Sequence, residues 1–201
     1  MPSEKTIVLA TANKGKIAEL RALLAATGIT VKGLREFPHI GDIPETGVTF
    51  AENARLKAAA VAAATGLPAV ADDSGLCVDA LDGAPGVYSA RYGGENATDA
   101  VNNAKLLDAL RHVPPEKRTA RFLCAMAATT PDGRWAETQA AWEGLIAPAP
   151  QGEGGFGYDP LFLDPCLGRT AAQLTPQEKN ARSHRGQALA RLIPLLETLL
   201  T

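Results

Sequence analysis

Two adjacent carboxylates, Asp72 and Asp73, stand between an apolar segment and a glycine. Residues 67–70 are apolar and include a proline near their start, which predicts a short buried strand, and Gly75 predicts a sharp turn after it. Carboxylates at the end of a buried strand are costly to desolvate unless cations or hydrogen-bond donors meet them. Ligands of α/β proteins commonly bind at the carboxyl ends of strands. The motif therefore predicts a ligand or cation site; the alternative is a solvated turn, because Asp, Ser and Gly are ordinary turn formers.

Lysines lie in several separate segments that could meet an anion. Residues 11–16 join a predicted strand over 6–10 to a helix, and they carry two lysines at the helix N-terminus. This arrangement predicts a phosphate-binding loop, although it lacks the spacing of a Walker A motif. Lys57 shares a helix face with Asn53, and Lys179 lies in the first turn of a later helix. Taken alone, Lys57 is most simply a solvated helix lysine. For residues 11–16 the alternative is an N-capped helix with a solvated basic first turn, which the helix dipole mildly disfavours.

A glycine-rich segment over 152–160 contains Phe156 and Tyr158. Glycines permit close backbone approach and an aromatic ring can stack on a base, so the segment predicts a platform for a planar ligand. The alternative is a flexible connection whose aromatic rings fill the core.

Together these residues favour a polyanionic substrate. Carboxylates alone would suit glycoside hydrolysis, but separated lysines indicate phosphates. Oxygen ligands suit Mg²⁺, which takes one or two carboxylates plus substrate phosphates, and a nucleoside triphosphate meets both requirements. A serine hydrolase is disfavoured, because the chain has no G-x-S-x-G motif around Ser74.

The bulk properties are those of a soluble globular protein. A net charge of −2 gives no general positive field, which argues against a nucleic-acid partner. Three cysteines without C-x-x-C spacing argue against a disulfide framework or a zinc site and favour a reducing compartment. The first five residues lack the apolar core of a signal peptide, and the apolar stretch 58–64 is too short to span a membrane. We expect a cytoplasmic protein with no membrane partner.

The predicted elements alternate between strands and helices before a hairpin. Strands are predicted over 6–10, 29–34, 67–70, 76–81, 121–129 and 135–146. Capping signals at Thr49, Thr98 and Thr175 begin three of the helices, and a last amphipathic helix is predicted over 188–200. The two longest strands meet at a Pro-Asp-Gly turn, which predicts an antiparallel hairpin. This order predicts an α/β fold, and without a linker we expect one domain over 1–201.

Several motifs occur in the order found in one family. They are Thr11-Ala12-Asn13-Lys14-Gly15-Lys16, Glu52-Asn53-Ala54 with Lys57, Ala71-Asp72-Asp73-Ser74-Gly75-Leu76, Gly83-Ala84-Pro85-Gly86, Ser89-Ala90-Arg91-Tyr92, Gly155-Phe156-Gly157-Tyr158-Asp159-Pro160 and Ser183-His184-Arg185. With them, essentially the whole chain resembles the inosine/xanthosine triphosphate pyrophosphatase family.

The resemblance implies a two-lobed α/β fold with a long central mixed β-sheet flanked by helices and an active-site cleft between the lobes. It implies a homodimer that hydrolyses ITP, dITP or XTP to the monophosphate and pyrophosphate with Mg²⁺ as cofactor. This reaction removes deaminated purines before polymerases incorporate them.

The resemblance also implies roles for individual residues. Glu45 and Asp73 would coordinate Mg²⁺, and Asp73 would accept the proton of the attacking water, although Asp72 stays open as the base. The phosphates would be held by Thr11, Ala12, Asn13, Lys14, Gly15, Lys16 and Lys57, and Ser74 would contact the substrate. The base and sugar would be surrounded by Phe156, Gly157, Tyr158, Asp159, Lys179, His184 and Arg185.

Hydrogen-bond donors of His184 and Arg185 that face the purine 6-position would donate to a 6-carbonyl and disfavour a 6-amino group. Ala12 stands where many relatives carry glycine. Two alternatives remain: a Maf-like pyrophosphatase that prefers pyrimidine or modified nucleotides, and a nucleotide-binding module without turnover.

Overall fold

A computed structural model describes residues 5–201 of the chain, so the expectation drawn from the first residues about a signal peptide falls mostly outside it. The strands are β1 Thr6–Leu9, β2 Thr30–Gly33, β3 Ala69–Val78, β4 Thr119–Thr129, β5 Trp135–Ile146, β6 Phe162–Asp164 and β7 Arg169–Thr170. The α-helices are α1 Lys14–Leu24, α2 Phe50–Thr65, α3 Asp99–Ala109, α4 Pro176–Arg182 and α5 His184–Leu199. Within residues 5–201, no helix combines the length and apolar character that a membrane crossing requires.

The strands form one mixed seven-stranded sheet in the order β2-β1-β3-β4-β5-β6-β7. β1 pairs in parallel with β2 and with β3, and the intervening helices α1 and α2 make the crossovers that parallel strands need. β5, β6 and β7 pair in antiparallel fashion. The predicted α/β class with a central mixed sheet and flanking helices is confirmed.

The chain divides into two compact units. Unit 1 comprises the described part of Met1–Asp73 with Cys124–Ala140 and Arg185–Thr201, and unit 2 comprises Ser74–Leu123 with Ala141–His184. Each unit has its own apolar core.

The core of unit 1 follows the alternation of its strands. In β1, Ile7 and Leu9 pack with the leucines of α1 and α5, whereas Val8 between them packs with the small side chains of α2. Successive strand residues point to opposite faces of a sheet, so the pattern places α1 and α5 on one face and α2 on the other. The alanine-rich sequence of α2 permits its close packing on the sheet.

The core of unit 2 is built around aromatic rings. The ring of Phe122 lies 4.5 Å from that of Phe162, and Trp142 lies 4.9 Å from Phe162. The Trp142 indole donates to Asp164, which is fully buried. These contacts join β4, β5 and β6.

The predicted helix starts are confirmed by their caps. The Thr49 hydroxyl accepts from the Glu52 amide while the Glu52 carboxylate accepts from the Thr49 amide, and Thr175 with Glu178 repeats the arrangement. The Thr98 hydroxyl accepts from the Val101 amide. Each cap satisfies amides that the first helical turn leaves without a partner.

The predicted turn at Gly75 is wrong. β3 runs unbroken from Ala69 to Val78, so the two predicted strands over 67–70 and 76–81 are one, and the adjacent carboxylates lie in mid-strand. β6 and β7 were not predicted because they are two or three residues long. α5 begins at His184 rather than Ala188, because only Ser183 interrupts the helical pattern.

Candidate active site

The pleat of β3 sends its two adjacent carboxylates to opposite faces of the sheet. Each meets its own set of partners within unit 1. This separation is why a buried strand can carry consecutive aspartates.

Asp72 lies on the face of α1 and α5 and is paired with two cations. Its Oδ2 is 2.9 Å from Lys16 Nζ and 3.2 Å from both Nε and Nη2 of Arg185. Arg185 also donates to Glu19 at 2.5 Å, and its side chain is only 2% exposed. Burial alone would raise the pKa of Asp72, but the charges of Lys16 and Arg185 hold it far below its usual value. Asp72 is therefore an ionised counter-ion at neutral pH.

Asp73 lies on the face of α2 in a different electrostatic setting. Lys57 Nζ is 3.2 Å from Asp73 Oδ1 and 2.8 Å from Glu45 Oε1, so one ammonium joins the two carboxylates. Asn53 Nδ2 donates to Asp73 Oδ2 at 3.1 Å. Burial raises the pKa of Asp73 and the nearby Glu45 charge adds to that rise, while Lys57 opposes it.

The two pKa directions favour Asp73 over Asp72 as a proton acceptor. A carboxylate whose pKa is raised gains more from taking a proton than one whose pKa is lowered by two cations. Which of the two aspartates accepts the proton stays a prediction.

Glu45 and Asp73 could also hold a hard cation together. Within residues 5–201 there is no group of three or more His, Cys, Asp and Glu side chains arranged for a metal. Two carboxylates nevertheless suffice for an ion that completes its shell with substrate phosphates. After burial, the charge of Glu45 also raises the pKa of Asp73, and a cation bound there would add to Lys57 in offsetting that repulsion.

The predicted phosphate loop lies at the N-terminus of α1. Asn13 is the N-cap and accepts from the Lys16 amide at 3.1 Å, while its own amide donates to the Thr11 hydroxyl at 3.2 Å. Ala12, Asn13 and Lys14 are exposed, and Gly15 is half-buried. The amides of the first turn and the two lysines make this end of α1 suitable for an anion.

In unit 2 a second group of predicted residues comes together around Asp159. Lys179 Nζ lies 2.5 Å from Asp159 Oδ2, and the Phe156 amide donates to the same oxygen at 2.8 Å. Lys179 Nζ is also 4.8 Å from the centre of the Phe156 ring. Gly155 has φ of +73°, and a Cβ there would come within 2.0 Å of Asp159 Oδ2, so the loop requires glycine.

Gly157 and Tyr158, which were also predicted for the site, differ in their surroundings. Gly157 is held by its amide donating to Asp99 and by its carbonyl accepting from Asn103. Tyr158 is only 4% exposed and donates its hydroxyl to the Ser89 carbonyl, so its ring belongs to the core, as the alternative interpretation of the segment held.

Ser74, His184 and Arg185 complete the predicted set. Ser74 is half-buried within β3. His184 is buried and stacks on Phe122 at 4.8 Å with an interplanar angle of 14°. The observed contacts of Arg185 are those of a counter-ion to Asp72 and Glu19, so its role toward a purine stays a prediction.

Two residues of this arrangement were not among those predicted for the site. Asn53 contacts Asp73. Its spacing of four residues from Lys57 places both on one helix face, and this was the sequence signal that could have indicated it. Glu19 contacts Arg185 across 166 positions of sequence, and no local pattern could indicate that pair.

Comparison with known proteins gives consistent matches over nearly the full length. The model of the Ham1 family matches residues 7–195. The dITP/XTP pyrophosphatase of Nitratidesulfovibrio vulgaris is 61% identical, with 96% of each chain covered, and that of Geobacillus kaustophilus is 56% identical over 94% of this chain and 92% of its own. Among solved structures, a HAM1 protein from Coxiella burnetii is 49% identical with a TM-score of 0.87, covering 96% of this chain and 99% of that one.

Proposed function

The chain belongs to the Ham1 family, and from this membership we propose that it hydrolyses ITP, dITP and XTP to the nucleoside monophosphate and pyrophosphate. The resemblance that the sequence motifs indicated is confirmed. The observation that carries the proposal is the cluster of Glu45, Lys57 and Asp73 on one face of β3, because it combines a base with a cation and a second carboxylate.

In the proposed reaction a water molecule attacks the α-phosphorus. The water oxygen bonds to phosphorus, the bond from that phosphorus to the oxygen bridging the β-phosphate breaks, and pyrophosphate leaves with the electron pair. Asp73 accepts the proton of the water. Asp72 holds Lys16 and Arg185 in place on the other face of the strand.

The negative charge of the leaving pyrophosphate needs cations close to it. We propose that Lys14 and Lys16 bind the phosphates together with the amides at the start of α1. Lys57 supplies a further ammonium beside the base. Charge that grows in the transition state is where fixed cations accelerate a reaction most.

We assign the cofactor as Mg²⁺, held by Glu45 and Asp73. The assignment is supported by the all-oxygen donor set and by the repulsion between the two carboxylates. When bound, Mg²⁺ would neutralise phosphate charge and polarise the groups it contacts.

In unit 2 we propose that the exposed part of Phe156 meets the purine, that Gly157, Asp159 and Lys179 surround the base and sugar, and that Ser74 contacts the substrate. The buried ring of Tyr158 supports this segment from the core. His184 and Arg185 would distinguish a 6-carbonyl from a 6-amino group. A site that pairs a carbonyl with buried donors discriminates strongly against a group that leaves those donors unpaired.

The variant Asp73→Asn separates this proposal from a nucleotide-binding module without turnover. Asparagine keeps the size of the side chain and removes the proton acceptor, so the variant should bind dITP and lose hydrolysis. Calorimetric titration with dITP and a turnover assay measure the two quantities. A wild-type protein that binds dITP without hydrolysing it would support the module instead, and a preference for pyrimidine nucleotides would support the Maf-like alternative.

We further propose that the protein is a cytoplasmic homodimer that removes deaminated purines from the nucleotide pool. The reducing location is suggested by its three free cysteines. Light scattering coupled to size-exclusion chromatography would measure the mass in solution, and a value near 21.0 kDa, that of one chain, would refute the dimer.

A further inference from the structure

Asn53, in the first turns of α2, is a buried residue whose amide makes two unlike hydrogen bonds. It is 2% exposed. Its Oδ1 accepts from the Gly47 amide at 2.8 Å, and its Nδ2 donates to Asp73 Oδ2 at 3.1 Å. One side chain therefore links the segment after Glu45 to the aspartate assigned as the base.

The orientation of this amide is fixed by chemistry. The backbone N–H of Gly47 can only donate, so the Asn53 atom that faces it must be the oxygen. The nitrogen then faces Asp73, which accepts as a carboxylate. The Gly47 contact thus compels Asn53 to present a donor to Asp73.

The close approach of Gly47 is part of the same arrangement. A Cβ at Gly47 would lie 2.7 Å from both Asn53 Oδ1 and Glu52 Cβ, which no side chain tolerates without movement. The Glu52 carboxylate accepts from the Val48 amide at 2.7 Å, immediately along the chain. Two successive residues of α2 therefore hold the segment that follows Glu45.

We propose that Asn53 is a positioning residue that fixes the plane of the Asp73 carboxylate and ties the Glu45 segment to the same helix. The inference rests on the proposed function, because the proposed function assigns Asp73 and Glu45 as a pair that must act together. Asn53 touches neither water nor substrate in this role; it determines the direction in which the Asp73 oxygens point.

Unit 2 contains a matched asparagine that lacks the link to a proposed site carboxylate. Asn102 follows its N-cap Thr98 by four residues, as Asn53 follows Thr49. Its Oδ1 accepts from the Gly93 amide at 2.6 Å, but its Nδ2 donates to the Ala90 backbone carbonyl at 3.2 Å. Both asparagines are buried, occupy the same position in their helix and accept from a glycine amide. They differ in the group that accepts from their Nδ2.

This pair gives a controlled experiment with Asn53→Asp and Asn102→Asp. Each change keeps the oxygen that meets the glycine amide and replaces the donor by an oxygen facing another oxygen. Both variants should lose thermal stability. Only Asn53→Asp should lose turnover, with kcat for dITP falling by about 10- to 100-fold, as is typical when a residue supporting a metal ligand is changed. Its KM should stay within about threefold of wild type, because the phosphates are bound elsewhere.

A second measurement needs no turnover. Mn²⁺ binding to the nucleotide-free protein, followed by electron paramagnetic resonance, should weaken by about tenfold in Asn53→Ala and stay unchanged in Asn102→Ala. If Asn53→Asp does not fold, this alanine pair carries the test.

The inference is overturned if Asn53→Asp retains wild-type kcat at a stability loss equal to that of Asn102→Asp, or if Asn53→Ala binds Mn²⁺ as wild type does. Its failure is distinguishable from that of the proposed function. If wild-type protein releases no pyrophosphate from dITP, the proposed function fails, whereas active wild type with an unaffected Asn53→Asp removes only the role of Asn53.

Discussion

The ion pair between Arg185 and Asp72 should be the most stability-sensitive polar contact in unit 1. Both side chains are essentially inaccessible, and Arg185 approaches Asp72 Oδ2 through two nitrogens at 3.2 Å. The substitution Arg185→Met keeps much of the length and volume of the side chain and removes the charge. It leaves Asp72 buried with Lys16 as its remaining observed cation.

Breaking a buried ion pair from one side costs about 3–5 kcal/mol when the charge left behind has no other partner. Asp72 keeps Lys16 at 2.9 Å, so this range is the upper bound on the loss. For a chain of this length each kcal/mol lowers the melting temperature by about 2–4 °C, so Arg185→Met should melt measurably below wild type, by at most about 20 °C. Arg111→Met is the matched control. Its partner Asp108 lies 3.0 Å away but both side chains are more than half exposed, so the loss should be about 0–1 kcal/mol.

The difference in unfolding free energy between wild type and Arg185→Met should depend on pH in a definite direction. The pKa of Asp72 is depressed in the folded state, so its pairing stabilises the protein above its ordinary pKa of 3.8 and is lost as the pH falls below that value. The gap in unfolding free energy between wild type and Arg185→Met should therefore be full at pH 7 and shrink below pH 3.8. Urea titrations across this range measure it.

The double variant Asp72→Asn/Arg185→Met completes the test. Removing both partners should cost less than the sum of the single losses, because neither charge is then left alone. Additivity within about 0.5 kcal/mol, or a loss in Arg185→Met no larger than in Arg111→Met, would refute the reasoning.

Three further predictions concern the remaining site residues and the metal. Tyr158→Phe should lose about 1 kcal/mol of stability with its hydrogen bond to the Ser89 carbonyl and keep its activity, because the ring is core; a large fall in kcat would contradict this. Lys179→Met should raise KM for dITP more than it lowers kcat, since Lys179 holds Asp159 and borders Phe156; steady-state kinetics with an unchanged KM would count against the assignment. Chelation with EDTA should abolish pyrophosphate release and added Mg²⁺ should restore it; activity that persists without divalent ions would remove the metal from the account.

Local signals predicted much of the fold. The capping pairs of α2 and α4 use residues three apart, and hydroxyl and carboxylate groups at that spacing satisfy amides whatever else surrounds them. The hairpin of β4 and β5 was likewise predicted from a Pro-Asp-Gly turn between two long predicted strands. These elements depend on neighbours along the chain.

The course of β3 could not be predicted from local composition. Asp, Asp, Ser and Gly are turn formers in water, and the sequence places them side by side at 72–75. The strand continues because cations from distant segments meet each aspartate, Arg185 from 113 positions away and Lys57 from 16. Long-range pairing overrides local preference there.

The candidate site, like the fold, was predicted from the sequence only in part. Residue types and family motifs indicated Asp73, Glu45 and Lys57, and the structure brings these three together. The difference between the two aspartates depends on which face of the strand each occupies. That difference is a property of the folded chain, as is the link from Gly47 through Asn53 to Asp73, and neither has a local signal in the sequence.

The most direct test of the account is the identity of the phosphate product released from dITP, XTP and ITP, compared with ATP and GTP, in the presence of Mg²⁺. Pyrophosphate should be the first product from the three deaminated purine nucleotides, with ATP and GTP hydrolysed far more slowly. Orthophosphate as the first product would mean attack at the γ-phosphorus and would contradict the proposed reaction.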